Sequence, residues 1–280
     1  MTPPARPGRF ARRSTADEIM DNPTIPAAGL SATLRQLASI NTFLGGYPPS
    51  VRGVLALLSR PSEDRRVPRP TALTPRPPPP SLGEGEVGAS ATLLDVGTGA
   101  ADTPRTLVEA SAARGIRLDV TAIDLAAATA EYARAACAGH PSIHVEQGDL
   151  FALVPGRHRF DIVHAAMVLH HFPDEEAVRA LVWMYALAER GVVINDLHRH
   201  PLAYWGIRAL TALAWRDPMI RHDAPVSVLR GFRAAELRDL AARAGWPVVQ
   251  TRLRWWPMFR WQLVADKRIP VPPRARPGRP

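Results

Sequence analysis

The sequence predicts an α/β fold built on a parallel sheet, with right-handed crossovers and helices on both faces. Three observations carry that prediction. Short apolar strands alternate with helix-length segments from residue 92 to residue 195. The first strand runs straight into a glycine turn, Asp95-Val96-Gly97-Thr98-Gly99, and Thr103-Pro104 follows as a cap and first-turn signal for a helix. Polar residues then recur just past successive strands: Asp124, Asp149 and the pair His170-His171. In open α/β sheets that is the side on which ligands bind.

The chain has 280 residues, enough for one core domain with appendages. Residues 1–14 are rich in Pro and Arg and are expected to be a disordered tail. Residues 15–59 form an N-terminal helical cap: Asp17-Glu18-Ile19-Met20-Asp21 is a short acidic and apolar element, Ser31 to Phe43 has helical spacing, and Val51 to Leu58 supplies a second helix after Gly45-Gly46. Residues 60–88 hold four consecutive prolines, Pro77 to Pro80, and read as a linker.

The core domain occupies residues 89–266. Its strands are Thr92–Val96, Arg117–Ile123, Ile143–Gln147, Phe160–Ala165 and Gly191–Asn195, separated by helices Thr103–Arg114, Ala126–Ala138 and Asp174–Ala188. Pro201 to Trp215 is an apolar helix-length insertion, and Ala234–Ala244 is a helix stopped by Gly245. Val248–Leu253 and Phe259–Val264 make an antiparallel pair around Pro257, and residues 267–280 return to a Pro/Arg tail.

The formal charge is +9, yet many of the arginines sit in the terminal and Pro-rich stretches, and Lys267 stands alone against 34 arginines. Such a bias is compositional, so a nucleic-acid partner is not expected. The single cysteine, Cys137, excludes an intramolecular disulfide and a cysteine-based zinc cluster. It reads as a small buried apolar residue. Neither a membrane span nor a signal core is visible, which points to the cytoplasm.

A glycine turn before a helix lets a ligand's polar backbone approach free N–H groups. Asp124 can accept from two ribose hydroxyls or cap the following helix; Asp149 can accept from an exocyclic adenine amino group or serve as a turn residue. A dinucleotide fingerprint asks for a third glycine where this chain has Asp102. A carboxylate there repels a pyrophosphate but tolerates a cofactor that carries a sulfonium and an ammonium group.

Leu93 to Gly99, Asp124, Gly148-Asp149-Leu150, and Phe160 to Val163 with Leu169-His170-His171-Phe172 closely resemble the class I S-adenosylmethionine-dependent methyltransferases, in particular the branch similar to quinone-biosynthesis and aromatic-polyketide-associated enzymes. The resemblance runs from about residue 91 to 265. It implies a Rossmann-like sheet of seven strands, the last antiparallel, with S-adenosylmethionine as cofactor. It also implies that Gly97 and Gly99 wrap the methionine part, Asp124 holds the ribose, Asp149 with Leu150 frames the adenine and Ala166 and Met167 line the sulfonium side, with Asp95, Thr98 and Leu125 as further cofactor-binding residues. Ala101 replaces the family's third glycine.

Methyl transfer needs a base only when the acceptor is protonated, and a histidine suits a phenol. The candidates are His222, next to Asp223, and His170 and His171, of which at most one should face the pocket; His198 and His200 are further ones, and each could equally be structural. His198 and His200 with His222 could bind a metal, but no carboxylate triad accompanies them and none is expected. Tyr204, Trp205, Trp215 and Met219 form either a lid over an aromatic small-molecule acceptor or an extra cover on the core. A nicotinamide-dependent oxidoreductase and a non-catalytic cofactor-binding scaffold are the alternatives. The first lacks a Tyr-x-x-x-Lys pair, and the intact glycines and aspartates speak against the second. Oligomeric state is left open, a dimer included.

Overall fold

The computed structural model describes residues 8–21, 27–59, 89–215 and 217–272. The linker assigned to residues 60–88 and the outer parts of both tails lie outside the described residues. Seven strands, β1 (Ser90–Val96), β2 (Arg117–Asp124), β3 (Ile143–Gln147), β4 (Phe160–Ala166), β5 (Ala188–Leu197), β6 (Thr251–Trp256) and β7 (Arg260–Asp266), form one sheet in the order β3-β2-β1-β4-β5-β7-β6. β1 is parallel to β2 and β4, while β7 is antiparallel to β5 and β6. Chain order reverses between β1 and β4, so a crevice opens beyond Val96 and Ala166.

Helices α1 (Ala27–Phe43), α2 (Pro48–Leu58), α3 (Asp102–Ala112), α4 (Ala127–Ala136), α5 (Asp174–Leu187), α6 (Pro201–Ala214), α7 (Pro218–Arg230) and α8 (Ala234–Arg243) complete the fold. Strand alternation divides the core. Leu94, Val163 and Val192 face α5 and α8, where Leu181, Met184, Leu237 and Trp246 are buried. Leu93, Ile162 and Val193 face the other way, against Val54, Leu57 and Leu107 of α2 and α3. The N-terminal α2 is therefore part of the main core. Gly53 permits this: a Cβ there would lie 2.7 Å from Val193.

Several boundaries differ from expectation. Residues 8–14 are packed rather than disordered, since Arg13 donates to the carbonyls of His170, Phe172 and Arg230 and Phe10 meets Tyr204 edge-on. Lys267 and Arg268, expected in the tail, bond the carbonyls of Ala188 and Leu57. Val248–Gln250 is a 3-10 turn rather than the start of a strand. Helix α7 has no counterpart in the sequence reading. Pro218 opens it, where a missing N–H costs nothing, but the internal Pro225 hides its helical pattern. Cys137 is buried, as expected. Among the described residues no helix is long and apolar enough to cross a membrane.

Candidate active site

The crevice is a cavity of about 910 Å³, floored by the strand ends and walled by α1, α6, α7 and the segment around Glu18 to Asp21. Gly97 and Gly99 turn the chain at φ +63° and +56°. At Gly97 a Cβ would also strike Val168 at 2.6 Å. Ala101, where the family has glycine, holds φ +52° while fully buried. A left-handed non-glycine residue costs about 1–2 kcal/mol, so this turn is strained beside the cavity. Met167 is strained likewise, at φ +61°.

Asp124 ends β2 and spends one lone pair of each oxygen on the turn: Gly99 N donates to Oδ2 at 3.0 Å and Ala126 N to Oδ1 at 3.1 Å. Burial pushes its carboxyl above the usual range, against the pull of those two N–H groups. Gly97, Thr98, Gly99, Asp124, Leu125, Ala166 and Met167 all line the cavity.

Three expected cofactor residues do not. Asp95 alternates to the α2 face, where His164 Nδ1 binds it at 2.6 Å and His164 Nε2 meets Ser50 at 2.8 Å. Asp149 is exposed and caps its own 3-10 turn through Phe151 N at 2.9 Å; that turn drives Leu150 into the core.

The opposite end of the cavity is polar. After β4, the 3-10 turn Leu169–His171 presents both histidines. Asp196, at the end of β5, takes His170 Nδ1 at 2.7 Å and His170 N at 3.2 Å. Burial would raise the Asp196 carboxyl, but the His170 contact outweighs it and holds the group below the carboxylate range. Among the described residues His170 Nε2 has no hydrogen-bond partner, and it lies 3.6 Å from Glu18 Oε1. His171 Nδ1 meets Asp21 at 2.7 Å. Arg230 fastens the turn, donating to His170 O, to His171 O and to Asp21 Oδ2. Asp223 holds the opposing strand of chain through Ile19 N and Met20 N.

His222 is not part of this end. It binds Asp223 at 2.7 Å but turns outward into a separate pocket between α6 and α7, because successive helical side chains diverge by about a quarter turn. His198 and His200 lie together, 5.3 Å between ring centroids, packed on Phe259, which lines the cavity while neither histidine does. Trp205 and Trp215 also miss the cavity; α6 contributes Ala203, Gly206 and Ile207 to its wall instead. Glu18, Asp21, Asp196 and Arg230 had no assigned role in the sequence reading. The acidic element at Asp17–Asp21 and the Asn195-Asp196 strand end were visible signals, but their meeting was not.

His198 makes a testable case. Burial, followed by the charges of His200, Arg199 and Arg233, pushes it from 6.5 down to about 4, and its Nδ1 accepts from Trp255, as only the neutral ring can. The unfolded chain takes up this proton first. Its stabilising contribution is therefore full above about pH 6.5 and is lost as pH falls towards 4. His198→Gln is expected to show a shallower fall of Tm across that window; an identical fall would contradict the assignment.

Among the described residues the lining carries Glu18, Asp21, Asp102, Asp124 and Asp223 against one buried guanidinium, Arg260, and no lysine. Such a surface suits a cationic cofactor and repels a pyrophosphate. The fold and this lining define an α/β protein with an acidic cavity at the switch point of its sheet. Residues 93–191 match the family model described as a methyltransferase domain. The match spans the glycine turn, Asp124 and the His170-His171 turn.

Among solved structures, an S-adenosylmethionine-dependent methyltransferase from Aquifex aeolicus superposes with a TM-score of 0.53 at 14% identity, over 84% of this chain and 97% of that one. A protein described as a candidate O-methyltransferase from Nostoc punctiforme gives 0.51 at 15%, over 84% of this chain and 60% of that one. Magnesium protoporphyrin IX methyltransferase from Synechocystis, with bound S-adenosylmethionine, gives 0.43 at 16%, over 64% and 70%. At these identities the likeness is one of fold. A search of curated proteins finds no match to the chain.

Proposed function

We propose that the chain transfers a methyl group from S-adenosylmethionine to an oxygen of a small aromatic acceptor, phenolic or quinone-like. The observation that carries this reading is that one cavity runs from the glycine turn to the His170–Asp196 pair, with apolar walls between. At about 910 Å³ it is near the top of the usual range of small-molecule sites, room for more than one ligand.

Gly97, Thr98 and Gly99 would hold the amino-acid end of the cofactor with backbone groups, and Asp124 would take the ribose hydroxyls through its remaining lone pairs. Ala166 and Met167 would flank the sulfur. When bound, the cofactor supplies an activated methyl on a sulfonium whose leaving group is a neutral thioether. The chain's own task is then alignment and proton removal. Alignment is worth about 7–11 kcal/mol in favourable cases.

His170 is the base in this reading. Asp196 fixes the Nδ1–H tautomer, leaving the Nε2 lone pair free to accept the acceptor's hydroxyl proton. His171 lies beside it, its ring centroid 4.3 Å away, and would position the acceptor. The aromatic ring would lie along Leu37, Ala203 and Ile207. An oxidoreductase reading is disfavoured by the acidic lining, and a scaffold reading leaves the unpartnered imidazole without a use.

The test is label transfer from methyl-labelled S-adenosylmethionine to a panel of hydroxylated aromatics alongside the same rings with the hydroxyl already blocked. Label in the free hydroxyl compounds alone supports the reading. Label in the blocked ones, on carbon or nitrogen, overturns it.

A further inference from the structure

Glu18, His170 and His171 come from two distant parts of the chain and converge at the polar end of the cavity. One ring nitrogen of each histidine and one Glu18 oxygen lie within 4.8 Å of one another. We propose that these three side chains form a binding site for a divalent transition-metal ion of the zinc or iron class.

Four observations support it. Glu18 Oε1 and His170 Nε2 are buried atoms with no hydrogen-bond partner among the described residues, on residues only 3% and 2% exposed. An orphaned buried carboxylate oxygen facing an orphaned imidazole nitrogen is costly unless something joins them. Their 3.6 Å separation suits two ligands on one ion, since bonds of about 2.0–2.2 Å meeting at an open angle span about 3.3–3.7 Å.

The surroundings also fit. Each histidine gives its Nδ1 to a carboxylate, His170 to Asp196 and His171 to Asp21, both at 2.7 Å. That arrangement fixes the tautomer and leaves Nε2 for an ion, as in carboxylate–histidine–metal triads. Finally, the charge balance favours a cation. Arg230 approaches Glu18 Oε1 at 3.7 Å, but its Nη1 is committed to Asp21 at 2.6 Å, and Glu18, Asp21, Asp196 and Asp223 outnumber it.

Two imidazoles and one carboxylate select zinc, iron, cobalt or nickel over magnesium and calcium. Three protein ligands leave one position open towards the cavity, where an acceptor oxygen can bind. The binding stands on this geometry; what it does for the acceptor rests on the methyl-transfer reading. In the metal-free chain His170 Nε2 takes the proton. In the loaded chain that nitrogen is a ligand, and an acceptor hydroxyl bound at the open position releases its proton to water at lower pH. The O–C bond then forms as the C–S bond breaks, leaving S-adenosylhomocysteine.

The experiment is a titration of tag-free, chelator-stripped full-length chain with Co²⁺, followed by calorimetry and by the visible d–d spectrum, with Zn²⁺ as competitor. One ion per chain is expected, displaced by Zn²⁺. Glu18→Gln and His171→Ala should each lose at least 100-fold in affinity, and Asp21→Asn about 10–100-fold. A His198→Ala/His200→Ala double variant should bind as the native chain does. In each variant the thermal shift given by S-adenosylmethionine reports folding and cofactor binding separately, so loss of the metal is distinguished from loss of the methyltransferase reading. Absence of stoichiometric binding would overturn the proposal. So would native-like titration of both Glu18→Gln and His171→Ala, or loss of binding only in the double variant.

Discussion

Asp124→Ala is expected to weaken S-adenosylmethionine binding by about 100-fold, as measured by calorimetry. A charge-assisted hydrogen bond is worth about 1.5–3 kcal/mol, and this carboxylate is proposed to accept from ribose while it also anchors Gly99 N and Ala126 N. The substitution therefore removes the ligand contact and loosens the glycine turn that meets the rest of the cofactor. Sign follows from the raised Asp124 pKa, caused by burial. As pH falls, this group protonates before an exposed aspartate would, so native affinity should decline early. Asp124→Ala should show no such decline. A variant that binds within a few-fold of the native chain would remove Asp124 from the site.

His170→Gln is expected to lower kcat by about 100- to 10,000-fold on a phenolic acceptor, the usual worth of general-base catalysis. Cofactor affinity should stay within a few-fold. Glutamine is chosen because its amide can still donate to Asp196. Alanine would leave a buried carboxylate uncompensated, a change that typically costs 3–5 kcal/mol, and the protein's fold would then be in question. Asp196→Asn should fall in the same direction with an altered pH profile, since it acts through the tautomer of His170. Equal losses in kcat and in cofactor affinity would instead mark the pair as structural.

How much of this was legible depends on how local each feature is. The glycine turn, the strand ends and the helix after Thr103 are written in consecutive residues, and the parallel core follows from their alternation. Asp124 is legible for the same reason, because its partners Gly99 and Ala126 belong to the turn and to its own helix cap. The count of seven strands and the antiparallel last strand came from the family resemblance rather than from periodicity, and the strand order only from the structure.

The other end of the site was not legible. Asp196 serves His170 only because β4 and β5 are neighbours, and Glu18 reaches it across 152 positions through a segment held by Asp223. Asp95 lies outside the cavity lining because one residue of strand alternation decides which face it takes. The local signal at Asp149 was read as a ligand contact, where a 3-10 turn uses the carboxylate itself. His222 shows the limit of adjacency as an argument: it does pair with Asp223, yet only the aspartate faces the cavity.

Thermal unfolding with S-adenosylmethionine, S-adenosylhomocysteine, and the oxidised nicotinamide dinucleotides, each at equal concentration, tests the central claim most directly. A ligand present at 100 times its dissociation constant adds about 2.7 kcal/mol to the native state, easily seen as a raised Tm. The acidic cavity beside Gly97, Gly99 and Asp124 predicts a shift with the first two ligands, abolished in Asp124→Ala. A shift with the nicotinamide compounds alone would contradict it.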